Sequence, residues 1–356
     1  MPEHAEQYSV LFRVAGGSRV GFGHVRRCWT LAEYLTDRQL AGGCAQVEFV
    51  ADSPEAGDLL STVGFSVIIE RHPGSVDQTL HRITRAALPT ICVVDDPDLA
   101  PDRLEALQHL VPAACLDDTC ARFFPVELVV NGSAGADRLP YRGMAGTRYL
   151  LGPRYMLLRN AFRDAPPQAV RSQAVRRVLV LTGGGDTGAF TREIVLSMRS
   201  ALPDVAMDVV IGPFGSSPAF EAEGLRGITL YRNPSDMREL MLSADLAVTG
   251  GGQTAYELAA TATPSLGIRL AENQAINLRG LAEAGALWDL GGPDESGFWP
   301  RFAERVRALA QDQGARQRMG NCGRLLVDGR GAERVADHLA SMAARRAVQI
   351  PTKAEP

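Results

Sequence analysis

The chain has 356 residues, 46% of them hydrophobic and 22% charged, enough for two domains of about 100–200 residues each with its own core. Its net charge is −4, with no basic stripe beyond short pairs such as Arg26-Arg27 and Arg176-Arg177, so no nucleic-acid partner is expected; no apolar run reaches the ~20 residues of a membrane span. Of the 37 basic residues a single one is lysine, Lys353, which excludes Schiff-base chemistry, the P-loop lysine and the phosphate-pairing lysine of protein kinases.

In chain order, the apolar run Val10–Val14 predicts a strand that ends in a glycine-rich turn. Val25, Cys28, Leu31 and Leu35 then have the spacing of a helix over His24–Leu35. Val47–Val50, Phe65–Ile69, Ile91–Val94, Ala114–Leu116 and Leu128–Val130 are short, nearly continuous apolar runs, as expected for parallel strands buried on both faces. Helical stretches separate them, for example Ser75–Ala87 and Asp102–Leu110. A proline-containing polar segment, 164–176, reads as a linker. The pattern restarts with a strand at Val178–Leu181, a helix at Phe190–Ala201, and strands at Val205–Ile211, Ile228–Tyr231, Leu246–Val248 and Ser265–Ile268, with helices between. Amphipathic helices at Arg301–Ala310 and Ala332–Arg345 follow. The expectation is an α/β chain of two Rossmann-like domains, 1–163 and 177–345, with a ligand cleft between them and a tail at 346–356.

Three loops carry chemistry. Gly21-Phe22-Gly23-His24 joins a strand to a helix, where free amides favour anions. A histidine at that helix start is expected to have its pKa lowered by the positive helix end, and so to be neutral and able to act as a base. A helix cap accounts for the same residue without chemistry. Thr182-Gly183-Gly184-Gly185-Asp186 offers amides to a diphosphate; a tight strand–helix turn reads the same way. The densest loop is Thr249-Gly250-Gly251-Gly252-Gln253-Thr254, where a strand feeds a glycine run and a helix opens. Glu257 lies one turn in, within reach of a ribose diol, although an acid there also suits the helix dipole. The polar cluster Glu272-Asn273-Gln274 follows the next strand.

Asp95-Asp96 and Asp117-Asp118 are tandem carboxylates, but neighbours on a strand point to opposite faces, so no metal site is assigned. Six scattered cysteines without a CxxC pair and the polar start MPEHAEQY fit a reducing, cytoplasmic setting without a signal peptide.

The ordered set LFRV…GFGHVRRC, VVDDPDL, LDDTCARFFPVELVVN, LLGPRYMLLRNAF, LTGGGDT and TGGGQTAYELAATATPSLGI…AENQ, over roughly residues 9–290, resembles the nucleotide-sugar hydrolase family of the pseudaminic-acid pathway. That family removes UDP from UDP-2,4-diacetamido-2,4,6-trideoxy-β-L-altropyranose and shares the GT-B fold with inverting glycosyltransferases. The resemblance implies a GT-B-like architecture, a UDP-sugar substrate, and inversion with neither metal nor cofactor. His24 matches the base that activates water. Gly183, Gly184, Gly185, Asp186, Gly251, Gly252, Gln253 and Thr254 match the UDP loops, with Glu257 on the ribose. Arg13, Gly21, Gly23, Asn131, Tyr155, Glu272, Asn273 and Gln274 fall where sugar and diphosphate contacts are expected. The chain departs from the family at Asp95-Asp96-Pro97, where the family usually reads Asp-His-Tyr. That departure leaves the sugar open, and with it the choice between hydrolysis and the alternative, an inverting glycosyltransferase. A nucleotide-sugar-binding protein without turnover is the third reading.

Overall fold

Apolar strands of four to six residues bury both faces only when helices cover a parallel sheet on each side. The chain does this twice. The computed structural model describes residues 8–17, 20–37, 45–70, 72, 74–165, 173–183, 188–212 and 226–349. The described residues of Met1–Gly132, Ala136–Asn160 and Arg330–Pro356 make unit 1, and those of Ser133–Gly135 and Ala161–Gly329 make unit 2.

Unit 1 runs β1 (Ser9–Val14), α1 (Gly23–Thr36), β2 (Gln46–Ala51), α2 (Pro54–Thr62), β3 (Ser66–Ile69), α3 (Asp77–Thr84), β4 (Thr90–Asp95), α4 (Pro101–Leu110), β5 (Ala113–Leu116), β6 (Phe123–Phe124), β7 (Leu128–Asn131), β8 (Arg142–Gly143) and β9 (Arg148–Leu151). Seven of these strands form a parallel sheet in the order β3-β2-β1-β4-β5-β7-β9. Strand parity divides the core. Val10, Phe12 and Val14 pack with Val25, Cys28 and Leu31 of α1, whereas Leu11 packs on the other face with Val94, Leu104 and Leu107.

Unit 2 runs β10 (Arg177–Leu181), α5 (Gly188–Ala201), β11 (Ala206–Ile211), β12 (Ile228–Arg232), α6 (Met237–Ser243), β13 (Leu246–Gly250), α7 (Gln253–Ala260), β14 (Ser265–Ile268), α8 (Ala275–Glu283), β15 (Trp288–Asp289), α9 (Phe298–Gln311) and α10 (Gln313–Leu326). Its sheet is parallel in the order β12-β11-β10-β13-β14-β15. Both sheets thus begin with the doubly wound order, which reverses direction between the first and fourth strands; ligands of such sheets bind at the carboxyl ends there.

α2 is one of the helices expected between strands, whereas α8 and α10 were not expected. α2 opens at Ser53, whose Oγ accepts the Ala56 N–H at 3.2 Å, with Pro54 at the first helical position, a strong start signal on a helix too short for periodicity to show. α10 opens on Asp312, whose carboxylate accepts the Ala315 N–H at 2.7 Å. The helix expected at Ser75–Ala87 is shorter, Asp77–Thr84.

The larger correction concerns the last helix, α11 (Gly331–Gln349). The sequence division put it with the second domain, but it belongs to unit 1. Its apolar stripe of Ala332, Val335, Ala336, Leu339, Met342 and Ala343 is buried in the core that α1 and β1 share. Arg345 reaches Glu127, and Arg346 donates to the Leu110 carbonyl at 3.1 Å. An amphipathic helix must cover its apolar face, and spacing alone does not say with which sheet. No helix among the described residues is long and apolar enough to cross a membrane.

Leu339 is fully buried in that core. Leu339→Ala should therefore cost about 2–5 kcal/mol of stability, read by chemical denaturation. A loss below about 0.5 kcal/mol, the usual range for surface positions, would place α11 outside the core of unit 1.

Candidate active site

The carboxyl end of β1 runs into Gly17, which pairs with Gly21 through Gly17 N–H to Gly21 O at 3.2 Å and Gly21 N–H to Gly17 O at 2.8 Å. Both glycines have left-handed φ, +115° and +79°, a conformation that side chains rarely adopt. This closure sets the start of α1, so that His24, its second residue, lies over the end of β4. Gly23 is the first helical residue, with open space where a Cβ would be.

His24 Nδ1 lies 2.8 Å from Asp95 Oδ1. Asp95 is the last residue of β4, opposite Val14 of β1, and is fully buried. It also receives Arg27 Nε at 2.5 Å and Nη2 at 2.6 Å, and the Cys28 thiol at 3.5 Å. Arg27 Nη1 donates onward to Asp118 Oδ1 at 2.6 Å. A carboxylate so surrounded accepts only, which fixes the tautomer: Nδ1 carries the proton, and Nε2 is left with the lone pair. Arg27 Nη2 stands 3.0 Å from Nδ1, but both are donors, so they converge on Asp95 rather than bond to each other. Among the described residues Nε2 has no hydrogen-bond partner.

Burial is the largest influence on Asp95 and would raise its pKa, but the charges of Arg27 and His24 and their hydrogen bonds overcome it and hold the carboxyl well below its ordinary range. For His24 burial is again the largest influence, and it lowers the pKa. The charge of Asp95 and its hydrogen bond outweigh it, with Arg27 opposing and Asp118 assisting, and the net direction is upward. This corrects the expectation of an imidazole lowered by the helix end: a buried carboxylate at hydrogen-bond distance outweighs a partial charge.

Arg13 does not join His24. It sits on β1 with the parity of Leu11, fully buried, and pairs with Asp96 Oδ2 at 3.1 Å and the Ser75 carbonyl at 3.3 Å. Asp95 and Asp96 thus point to opposite faces, as neighbours on a strand should. Asn131, at the end of β7, is buried and donates to the Tyr141 hydroxyl at 2.8 Å, which donates to Asp117 at 2.7 Å. Tyr155 lies in the 3₁₀ turn Pro153–Tyr155, with the Arg154 guanidinium 5.2 Å from its ring centre. Neither contacts His24.

In unit 2 the two glycine loops leave neighbouring strands: Leu181 of β10 is opposite Thr249 of β13, so Gly183 and Gly251 each follow by two residues at the same edge. Gly183 has φ +98°; Gly184, Gly185 and Asp186 lie outside the described residues. Gly252 is the N-cap of α7, with Gln253 and Thr254 in its first turn, where backbone N–H groups have no helical acceptor. Thr254 Oγ1 is 3.2 Å from Thr249 Oγ1, and Glu257, one turn in, is buried.

The peptides flanking Gly251 are held from both sides. Gln274 Oε1 accepts the Gly251 and Leu270 N–H groups, each at 3.1 Å, and Asn277 Nδ2 donates to the Gly251 carbonyl at 3.0 Å. A Cβ at Gly251 would stand 2.7 Å from Leu278 Cγ, so the approach requires glycine. Tyr256, also buried, donates to Asn277 Oδ1 at 2.7 Å and accepts the Ala134 N–H at 2.8 Å. Glu272 and Asn273 are exposed, Glu272 being tied to Arg269. Sequence reasoning missed Asp95, Arg27, Asp118, Tyr256 and Asn277 as site residues. The signal for Asp95 was present, an acid closing an apolar strand.

No protein-family model matches the chain. It is 28% identical over 219 residues to the spore coat polysaccharide biosynthesis protein SpsG of Bacillus subtilis, covering 59% of this chain and 63% of that protein. It is 24% identical over 266 residues to an uncharacterized protein of Methanocaldococcus jannaschii, covering 68% and 51%. The chain thus matches less than two thirds of the length of either relative. Among solved structures it resembles MurG of Acinetobacter baumannii, with a TM-score of 0.62, 14% identity, and 94% of this chain and 99% of that one covered. It also resembles the calicheamicin glycosyltransferase CalG4, with a TM-score of 0.65, 17% identity, and coverage of 96% and 99%. The two parallel-sheet α/β units have the GT-B glycosyltransferase fold.

Asp95→Asn should lower the His24 pKa by roughly one unit or more, since burial then acts against a weakened partner; NMR titration of labelled histidine reads it. The sign carries over to stability. A raised histidine contributes fully below its unfolded-state value near ~6.5 and loses that contribution as pH rises through the folded value. The variant should therefore lose stability at pH 5 to 6 beyond its loss at pH 9. An equal loss at both would mean that the pair does not set the titration.

Proposed function

We propose that the protein is an inverting glycosyltransferase that uses a nucleotide-sugar donor, with a UDP-sugar as the first candidate, and that it serves the synthesis of a surface polysaccharide. The observation that carries the proposal is the His24–Asp95 pair at the strand reversal of unit 1, with Nε2 turned out as the free base. The GT-B fold supports it, as does the likeness to a protein named for spore coat polysaccharide biosynthesis.

In this reading the acceptor hydroxyl gives its proton to His24 Nε2 as its oxygen attacks the anomeric carbon. The bond from that carbon to the nucleotide diphosphate breaks on the opposite face, and the configuration inverts. Asp95 keeps the imidazole in the tautomer that offers Nε2, and stabilises the imidazolium that forms. The departing diphosphate gains charge, which amides at Gly252 and the first turn of α7 are suited to meet, with no lysine needed. Glu257 takes the ribose in this assignment, and Gln274 holds the loop in shape.

The hydrolase reading, in which water replaces the acceptor, has the ordered motif resemblance on its side. The fold likeness to glycosyltransferases and the substituted Asp96-Pro97 favour transfer. Incubating UDP-sugars with and without hydroxylated acceptors separates the two. UDP release that depends on acceptor supports transfer; equal release into water supports hydrolysis; nucleotide binding with no release under either condition ends both. His24→Gln should reduce turnover by about 10²–10⁴-fold with nucleotide affinity retained, and Glu257→Ala should instead weaken nucleotide binding.

A further inference from the structure

His24 and Asp95 do not stand alone. Arg27 follows His24 by one turn of α1, so both reach the same strand end. Its guanidinium is divided between two carboxylates, with Nε and Nη2 on Asp95 and Nη1 on Asp118. Asp118 lies just beyond β5, the strand next to β4, and its side chain is 46% exposed while that of Asp95 is 1% exposed. The groups facing His24 are therefore Asp95 from β4, Arg27 from its own helix and Asp118 from the loop after β5. Cys28, on α1, donates its thiol to Asp95, and burial, the largest of several influences, keeps it protonated.

We propose that Arg27 and Asp118 are positioning residues for the His24 base: Arg27 locks Asp95 in the rotamer that receives Nδ1–H, and Asp118 cancels the charge that Arg27 brings close to the imidazole. The formal charges follow this arrangement. With neutral His24 the four groups sum to one negative charge, and when His24 takes a proton they sum to zero. The protonated state, formed as the acceptor is activated, is thus neutral as a cluster, which a half-buried site favours. Without Asp118 the same step creates a net positive charge. Without Arg27 the cluster is more negative in both states, and Asp95 loses two of its hydrogen bonds. Lysine does not substitute for Arg27, because one ammonium lacks the planar fork that binds Asp95 on two sides and Asp118 on the third.

The roles in catalysis rest on the proposed function, but the electrostatic prediction does not, so the test reads the imidazole directly. Histidine-labelled full-length protein is titrated by NMR, with His24→Gln identifying the His24 resonance. Asp118→Asn, a change at a half-exposed position, should lower the His24 pKa by about half to one unit, and Arg27→Gln should raise it by a similar amount. Arg27→Lys should restore the charge but not the ordered hydrogen bond, with a titration near wild type and a broadened Nδ1–H signal. Shifts in opposite directions support the proposal, and they do so whichever nucleotide-sugar reaction the protein performs. Shifts in the same direction, or both below about 0.2 unit, far under the usual effect of a neighbouring charge, overturn it. Should Arg27→Gln fail to fold, the sign of the Asp118→Asn shift alone decides. Failure of the functional reading shows separately, as absence of nucleotide release by the wild type.

Discussion

A carboxylate buried at the end of a strand is costly unless it is ionically paired and its lone pairs are occupied. Asp95 meets that requirement with three neighbours from a single helix, His24, Arg27 and Cys28, and much else in unit 1 follows from it. Helix α1 must start at the end of β1 in one register for these side chains to arrive together, and the Gly17–Gly21 pairing sets that start. The apolar spacing that buries Val25, Cys28 and Leu31 then fixes the rotation of the helix. Packing and chemistry are thus specified by the same few residues: a shift of one position on α1 would break the core and the pair at once.

Unit 2 solves a different problem at the same place. Its fourth strand ends not in acids but in a glycine run, and here the cost is conformational rather than electrostatic. Glycine loops are free to take many shapes, and an amide cradle is useful only in one. Side chains from elsewhere remove that freedom: Gln274 holds the Gly251 N–H, Asn277 its carbonyl, and Tyr256 holds Asn277 while reaching Ala134. Tyr256 spends both its donor and its acceptor capacity in a fully buried position, a polar group that is tolerable because it is satisfied on both sides.

What the sequence made legible were the local features. The strand runs of both sheets, the helix start at His24 and the glycine loop before Gln253 all declare themselves within a dozen residues. What it hid were the features that depend on strand order. Asp95 can be matched to His24 only once β4 is known to lie beside β1, and Arg27 acquires its second carboxylate only because β5 is next in line. Arg13 shows the opposite case, a residue attractive as an anion contact that strand parity already set apart: it shares a face with Leu11, away from α1. The last helix was legible as amphipathic, but its stripe of alanine, valine, leucine and methionine fits any apolar sheet face, and nothing local records that unit 1 supplies it.

The two sheets also invite a comparison that neither makes alone. Both reverse direction between their first and fourth strands, so each has its own crevice at the carboxyl ends of those strands, where ligands of such sheets bind. In unit 1 the strand ends around that crevice gather Asp95, Asp96, Asp117 and Asp118; in unit 2 they carry Gly183, Gly250, Gly251 and Gly252. A diphosphate brought to the first rim meets carboxylates of its own sign, and Arg13 and Arg27 are already engaged with them. At the second rim it meets backbone N–H groups and the positive end of α7. A hydroxyl that must lose a proton has the reverse preference, since acids that hold a histidine in its basic tautomer serve it well. Under the proposed function, the same strand order at the reversal with opposite electrostatics would separate the tasks, with nucleotide suited to unit 2 and proton transfer to unit 1. The near absence of lysine sharpens that proposed separation, because it leaves backbone geometry and the forked guanidinium to do what a mobile ammonium does in phosphate sites that carry lysine.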